Sequence, residues 1–304
     1  MNEPIINRPE SIRQRLRDRM RAKGEDAQFG LQRYAIERFL FRLGRSRHRD
    51  RFILKGAALF AIWGGTAYRA TRDLDFTKYG SFAKVDVLAD IRDICEAPID
   101  GEEMVFIPES LKAEDIREES EYQGLRIHLQ AILGESEIPI QIDIGFANAI
   151  EPPPTEEEYP TLLGDPAPRI RSYPLEAVVA EKFHAMVVLG ERNSRYKDFY
   201  DLYVISGQFS FHGDRLGRAI QATFARRRTS IGLEIPSPLQ PRFFSEESRN
   251  EQWRAYLHRA SLPNAPTDFA LVGEQIRKFI GPVWNTLVQG SEINGTWEPG
   301  GPWK

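Results

Sequence analysis

Asp73 and Asp75, one residue apart in Arg72-Asp73-Leu74-Asp75-Phe76, are the residues whose type and spacing best suit chemistry. On a strand, side chains at i and i+2 project from the same face. Leu74 and Phe76 would then turn inward while both acids point at one spot outside. Two adjacent negative charges repel each other unless a cation or a proton sits between them. Mg²⁺ answers that need, because it takes hard oxygen ligands and often completes its shell with a nucleotide's phosphates. A polar strand edge with two solvated acids uses the same letters, so the surrounding sequence must decide.

The elements that would position the pair are legible. Phe52-Ile53-Leu54-Lys55 predicts a short strand, Gly56-Ala57-Ala58 a small-residue turn, and the apolar stretch to Trp63 a helix. Gly64-Gly65-Thr66 reads as a turn, and Arg72 to Lys78 as the strand carrying the acids. The clearest strand is Ile138 to Phe146, where Ile138, Ile140, Ile142 and Ile144 alternate strictly with Pro139, Gln141, Asp143 and Gly145. Its isoleucine face must be buried, so Asp143 stands on the opposite face, solvated or part of a site.

Helices are predicted from Pro9 to Lys23, Ala27 to Leu43 and Val85 to Ile94, and strands over Met104–Ile107, Leu111–Ile116 and Tyr122–Ile132. Pro152-Pro153-Pro154 and the acidic run after it mark a loop, which puts a domain boundary within 150–172. Beyond it the pattern turns helical over Leu175–Val188, Lys197–Gly207, Gly213–Arg227, Glu246–Ala260 and Phe269–Gly290. The expected fold is therefore α+β: a mixed sheet flanked by helices, followed by a mainly helical unit. Residues 1–160 would form the first domain with its N-terminal helices, 161–290 a helical domain completing a cleft, and 291–304 a mobile tail rich in Gly, Pro and Trp.

The 304 residues allow two packed units, and 41% apolar and 28% charged residues are ordinary for a globular chain. No apolar run approaches the roughly 20 residues that span a bilayer, and the N-terminus lacks a secretory pattern. The single cysteine, Cys95, excludes an internal disulfide and fits a reducing cytoplasm. Five scattered histidines lack zinc-ligand spacing. Residues 1–55 carry thirteen Arg and two Lys against seven acids, a net +8, which leaves −11 for the remainder of a chain whose total is −3. Arg15, Arg17, Arg19, Arg21, Arg45, Arg47, Arg49 and Arg51 crowd that segment, either as a phosphate-binding surface or as solvated helix faces. Arg226-Arg227-Arg228 closes a later helix.

Strand, small-residue turn, helix and Asp-x-Asp strand occur in the order that resembles the nucleotidyltransferase superfamily. The closer resemblance is to the AbiEii/AbiGii group of toxin nucleotidyltransferases, which includes the MenT-type toxins. It is carried by Phe52-Ile53-Leu54-Lys55-Gly56, Arg72-Asp73-Leu74-Asp75-Phe76, Glu181-Lys182-Phe183-His184-Ala185 and Arg195-Tyr196-Lys197-Asp198-Phe199-Tyr200-Asp201-Leu202-Tyr203. The likeness runs from about Ser11 to Val204. The family's turn usually reads Gly-Gly followed by Ser or Thr, whereas this chain has Gly56-Ala57-Ala58 and no hydroxyl.

The resemblance implies transfer of NMP from an NTP to an RNA acceptor such as a tRNA 3′ end, with a cognate antitoxin as partner. Asp73, Asp75 and a third acid, Asp143, would hold Mg²⁺, or Mn²⁺ in its place, and Asp143 would help activate the attacking hydroxyl. Lys182 would meet the triphosphate; a surface lysine on a helix is the alternative. The turn backbone at Gly56, Ala57 and Ala58, and Lys55 beside it, would approach the phosphates. Asp198 and Asp201 stand three apart on one helix face and could reach the cleft; Asp198 would orient Lys182 or the acceptor, and Asp201 could equally cap or pair structurally. Tyr196, Tyr200 and Tyr203 read as core and rim. Two other functions stay open: a nucleotidyltransferase-like module that binds without turnover, and a haloacid-dehalogenase-type phosphohydrolase suggested by Asp73-Leu74-Asp75-Phe76-Thr77.

Overall fold

Strict alternation builds the middle of a seven-stranded mixed sheet, because Ile138, Ile140, Ile142 and Ile144 are all buried on one face. The computed structural model describes residues 8–64, 73–117, 123–262, 264–291 and 294–304. The expected turn at Gly65-Thr66 and Arg72 at the head of its strand lie outside them. The described residues fall into two units. One holds those within 8–64, 73–149 and 155–172, and the other holds 150–154 and those within 173–304.

In the first unit α1 (Arg8–Lys23) packs on α2 (Ala27–Arg45), whose N-cap Asp26 accepts from the backbone N–H of Gln28 and Phe29. The chain then forms β1 (Phe52–Lys55), α3 (Leu59–Trp63), β2 (Asp73–Lys78) and α4 (Lys84–Glu96). Three long strands follow, β3 (Val105–Arg117), β4 (Gln123–Leu133) and β5 (Ser136–Phe146), then β6 (Thr155–Glu158) and β7 (Arg169–Ser172). The sheet order is β3-β4-β5-β2-β1-β7-β6. β2 runs parallel to β5 and antiparallel to β1, which places the two-acid strand beside the Asp143 strand. Helix α2 packs against β5 and β7, and α4 against β3.

Three elements differ from expectation, each for a physical reason. Met104–Ile107 and Leu111–Ile116 belong to one strand, β3, whose register shifts between Ile107 and Lys112; Pro108, lacking an N–H, sits in that irregular stretch. The region 150–172 is not only linker, since β6 and β7 join the sheet. They pair with each other antiparallel, and across that ladder Arg169 lies near both Glu156 and Glu158 at 3.9 and 3.4 Å. The tail packs as well: Trp297 is fully buried and donates to the Ser206 carbonyl at 2.7 Å, and Trp303 stacks on Phe279.

The second unit contains α5 (Leu175–Leu189), α6 (Tyr196–Gln208), β8 (Phe211–His212), α7 (Gly213–Arg226), α8 (Pro241–Ser245), α9 (Glu247–Arg259), α10 (Phe269–Val288) and β9 (Thr296–Trp297). Its core is aromatic. Tyr196, Phe199, Phe244, Trp253 and Phe269 form one cluster, and Phe183, Phe224 and Trp284 another. Tyr196 and Tyr200 are buried there, as the sequence predicts.

One buried acid of the first unit titrates near neutrality. Glu37 on α2 accepts the Leu162 backbone N–H at 2.7 Å, but burial pushes its carboxyl up to about 7, and that hydrogen bond only partly offsets the rise. An acid whose folded pKa is raised gives stability that is whole below its unfolded value of 4.5 and is lost as pH climbs through 7. The expected loss over this window is on the order of 2 kcal/mol. Melting curves from pH 4.5 to 8 should show a downward slope in the wild type that is shallower in Glu37→Gln. Equal slopes would remove Glu37 as the cause.

Candidate active site

The register of five adjacent strands draws charged residues into one row. Lys55 of β1 lies opposite Asp75 of β2, Asp75 opposite Asp143 of β5, Asp143 opposite Arg126 of β4, and Arg126 opposite Glu114 of β3. Paired positions project from a shared face, so the row reads plus, minus, minus, plus, minus across the sheet. Asp73, two residues before Asp75, shares that face and lies opposite Gln141. Leu74 and Phe76 are fully buried on the other side, and both acids are half-exposed. The strand is anchored beyond them by Lys78, a fully buried cation 3.1 Å from Asp90 that also donates to the Ser81 carbonyl.

Gly56 follows β1 directly and is held at φ +71°, where glycine alone is comfortable. A Cβ there would stand 2.1 Å from Asp75 Oδ2, so the turn backbone lies directly against the acid. The Lys55 ammonium reaches across β2 to Gly145, where it would be 3.4 Å from a Cβ. Lys55 and Gly56 therefore border the acids on an accessible face. Ala57 and Ala58 form the rest of a short 3₁₀ turn and are 3% and 0% exposed, so the open part of the turn is Lys55–Gly56.

Asp143 is engaged by Arg126, whose Nε and Nη2 donate to Oδ1 and Oδ2 at 2.9 and 2.7 Å. Gln141 Nε2 adds a longer contact to Oδ1 at 3.4 Å. The Asp143 hydrogen bond raises the guanidinium's pKa against its partial burial, and Asp73 and Glu114 add smaller attractions. Among the described residues no three His, Cys, Asp or Glu side chains are grouped to hold a metal ion. Asp73 and Asp75 still fit one: two hard oxygen donors share a face against a glycine turn with no room for a Cβ. Such a pair suits an ion that takes its remaining ligands from phosphates and water.

Lys182, Asp198 and Asp201 come together within the second unit. Lys182 Nζ on α5 lies 2.8 Å from Asp198 Oδ1 and 2.7 Å from Asp201 Oδ2, both on α6. Arg195 Nε is 2.9 Å from Asp198 Oδ2. The two acids are 2% and 0% exposed. Burial alone would raise the Asp198 carboxyl, yet Lys182 and Arg195 hold it below its usual range. Lys182 is thus a clamped ammonium rather than a loose surface lysine. Its neighbour Glu181 accepts from Tyr173 and Arg226 at 3.1 and 2.8 Å, which places Arg226 of the second basic cluster in a structural pair. His184 is buried, with its pKa lowered to about 4 by desolvation and then by Arg227, so it stays neutral near neutral pH.

Much of the N-terminal basic segment has internal partners. Arg17 pairs with Glu10, Arg47 with Asp93, Arg49 with Glu156 and Arg51 with Asp90. Arg15 donates to the Leu163 carbonyl, whereas Arg19 and Arg21 stand exposed on α1. Sequence reasoning missed Arg126 and Glu114 altogether. Leu125-Arg126-Ile127 carries the alternation of a half-buried strand, but only the register reveals that its arginine faces Asp143.

The seven-stranded mixed sheet thus sets the paired acids beside a glycine turn. Residues 38–274 match the family described as nucleotidyl transferase AbiEii toxin, Type IV TA system, and the chain belongs to that family. Two solved structures from Helicobacter pylori are similar at 12% identity and a TM-score of 0.49, each over 87% of this chain. One is a candidate nucleotidyltransferase, matched over 98% of its length, and the other is JHP933, matched over 95%. No curated protein matches. Among the described residues no helix is long and apolar enough to cross a membrane.

Proposed function

We infer that this nucleotidyltransferase moves NMP from an NTP to a hydroxyl of an RNA acceptor, a tRNA 3′ end above all, with Mg²⁺ bound or Mn²⁺ in its place. The observation that carries this reading is the shared, accessible face of Asp73 and Asp75 against the Gly56 turn, with Lys55 alongside. Asp73 and Asp75 would hold the ion, which when bound neutralises charge on the phosphate oxygens. Lys55 and the Gly56 backbone border the same face and suit the phosphates themselves.

The acceptor oxygen attacks the α-phosphorus, the bond to the β-phosphate bridging oxygen breaks, and pyrophosphate leaves with that electron pair. The acceptor's proton must pass to a base. Asp143 is the acid beside the pair, and loosening of its Arg126 fork would make it the stronger base. Lys182 would steady the triphosphate by exchanging Asp198 or Asp201 for phosphate oxygens, and Asp198 would hold it ready between turnovers. Exposed Arg19 and Arg21 are available to a nucleic-acid backbone. The family's toxin–antitoxin character makes a cognate antitoxin the expected protein partner.

One observation favours a module that binds without turnover: the turn lacks its hydroxyl, and Ala57 and Ala58 are buried. The phosphohydrolase reading yields to family membership, and Thr77, the last letter of that signature, is itself buried at 3% exposure. Incubation with total RNA and each of the four α-labelled NTPs separates the remaining two. Label is expected on a tRNA-sized band with at least one NTP. No label with any NTP, with Mg²⁺ or Mn²⁺, would leave the binding module.

A further inference from the structure

We propose that Arg126 is a positioning residue that reserves Asp143 from a divalent cation arriving without nucleotide. The proposal rests on the nucleotide–metal reading of those two acids. The guanidinium forks across both Asp143 oxygens at 2.9 and 2.7 Å, which is the strongest geometry open to a carboxylate and an arginine. It is also set by the fold, because Arg126 and Asp143 are direct register partners on neighbouring strands. The pair is half-buried, with side chains 35% and 19% exposed, so it is less screened than a surface pair while staying within reach of a ligand.

The adjacent acids within the charged row explain why such a residue is needed. Asp75 and Asp143 are opposed on adjacent parallel strands, with Asp73 one step along the same face. Three carboxylates on one patch would bind a divalent ion tightly with no nucleotide present. Lys55 at one end and Arg126 at the other hold that patch nearer neutrality. Arg126 acts in two ways on an incoming cation: it occupies the third acid and adds a positive charge beside the site. Removing it should therefore strengthen cation binding, the reverse of what a merely structural arginine would do. In transfer, the same guanidinium becomes available to phosphate oxygens once Asp143 turns to the acceptor or the ion.

The test is Mn²⁺ binding to the full chain without nucleotide, followed by electron paramagnetic resonance, with melting curves to verify folding. Arg126→Gln is expected to bind Mn²⁺ about tenfold more tightly than the wild type. Arg126→Lys keeps the charge but cannot fork across both oxygens, and should show a smaller gain of about threefold. In an Asp143→Asn background the Arg126→Gln change should gain about twofold or less, the effect of removing one neighbouring charge. Arg126→Gln binding no tighter than the wild type, or a gain that persists in full without Asp143, would overturn the proposal alone. Wild-type binding that is absent, or indifferent to Asp75→Asn, would overturn the metal reading and this proposal with it.

Discussion

Asp75→Asn should lower nucleotide transfer by about a thousandfold or more, while the melting temperature stays close to that of the wild type. The two halves of this expectation come from the same geometry. Asp75 stands between Asp73 and Asp143 and beneath the Gly56 backbone, so it sits where acids and turn converge. Removing its charge takes away a hard oxygen donor. Asparagine keeps the volume beneath Gly56, and the change lowers repulsion among three neighbouring acids. Folding stability should therefore move by no more than about 1 kcal/mol. Initial rates of label transfer and thermal melts on matched preparations check both parts. A fully active Asp75→Asn protein would sink the metal assignment.

Lys182→Met is expected to damage the fold as well as the reaction, by about 3–5 kcal/mol. Lys182 is the ammonium shared by Asp198 and Asp201, and its side chain is only 13% exposed against 3% and 0% for theirs. Taking it away strands carboxylates in a site where water cannot replace the lost charge. Arg195 still reaches Asp198 and offsets part of that loss. A double-mutant cycle with Asp201→Asn should recover about 1–2 kcal/mol of the loss. Denaturant unfolding of the four proteins measures this. A Lys182→Met protein as stable as the wild type would show that the clamp has no part in stability. It follows that lost activity in a Lys182 variant speaks for a phosphate role only where folding is intact, and the pairing of transfer assay with unfolding curve separates the two.

How far the sequence goes depends on which signal each element uses. β5 is legible because one face is uniformly isoleucine, and that same alternation assigns Asp143 to the other face. β2 is legible from Leu74 and Phe76 alternating with its acids. β6 and β7 escape because each is only four residues long, too short and too charged to show an apolar period. The tail escapes for a related reason: Trp297 and Trp303 are isolated anchors that pack on Phe279 and donate to the Ser206 and Phe279 carbonyls, with no apolar period along the chain. The paired acids and the Gly56 turn can be named from motif and spacing, and Lys182 from the family resemblance. Arg126 cannot, since its meaning lies in which residue of β5 it opposes, and register is a property of the paired sheet.

The most direct test of the central claim couples pyrophosphate release to labelled-NMP incorporation into RNA, in wild type and Asp75→Asn side by side. A divalent-ion-dependent transferase releases one pyrophosphate for each nucleotide incorporated, and both signals should vanish together in Asp75→Asn. Incorporation undiminished in Asp75→Asn, or a wild type that binds NTP yet releases no pyrophosphate with any RNA, would contradict it.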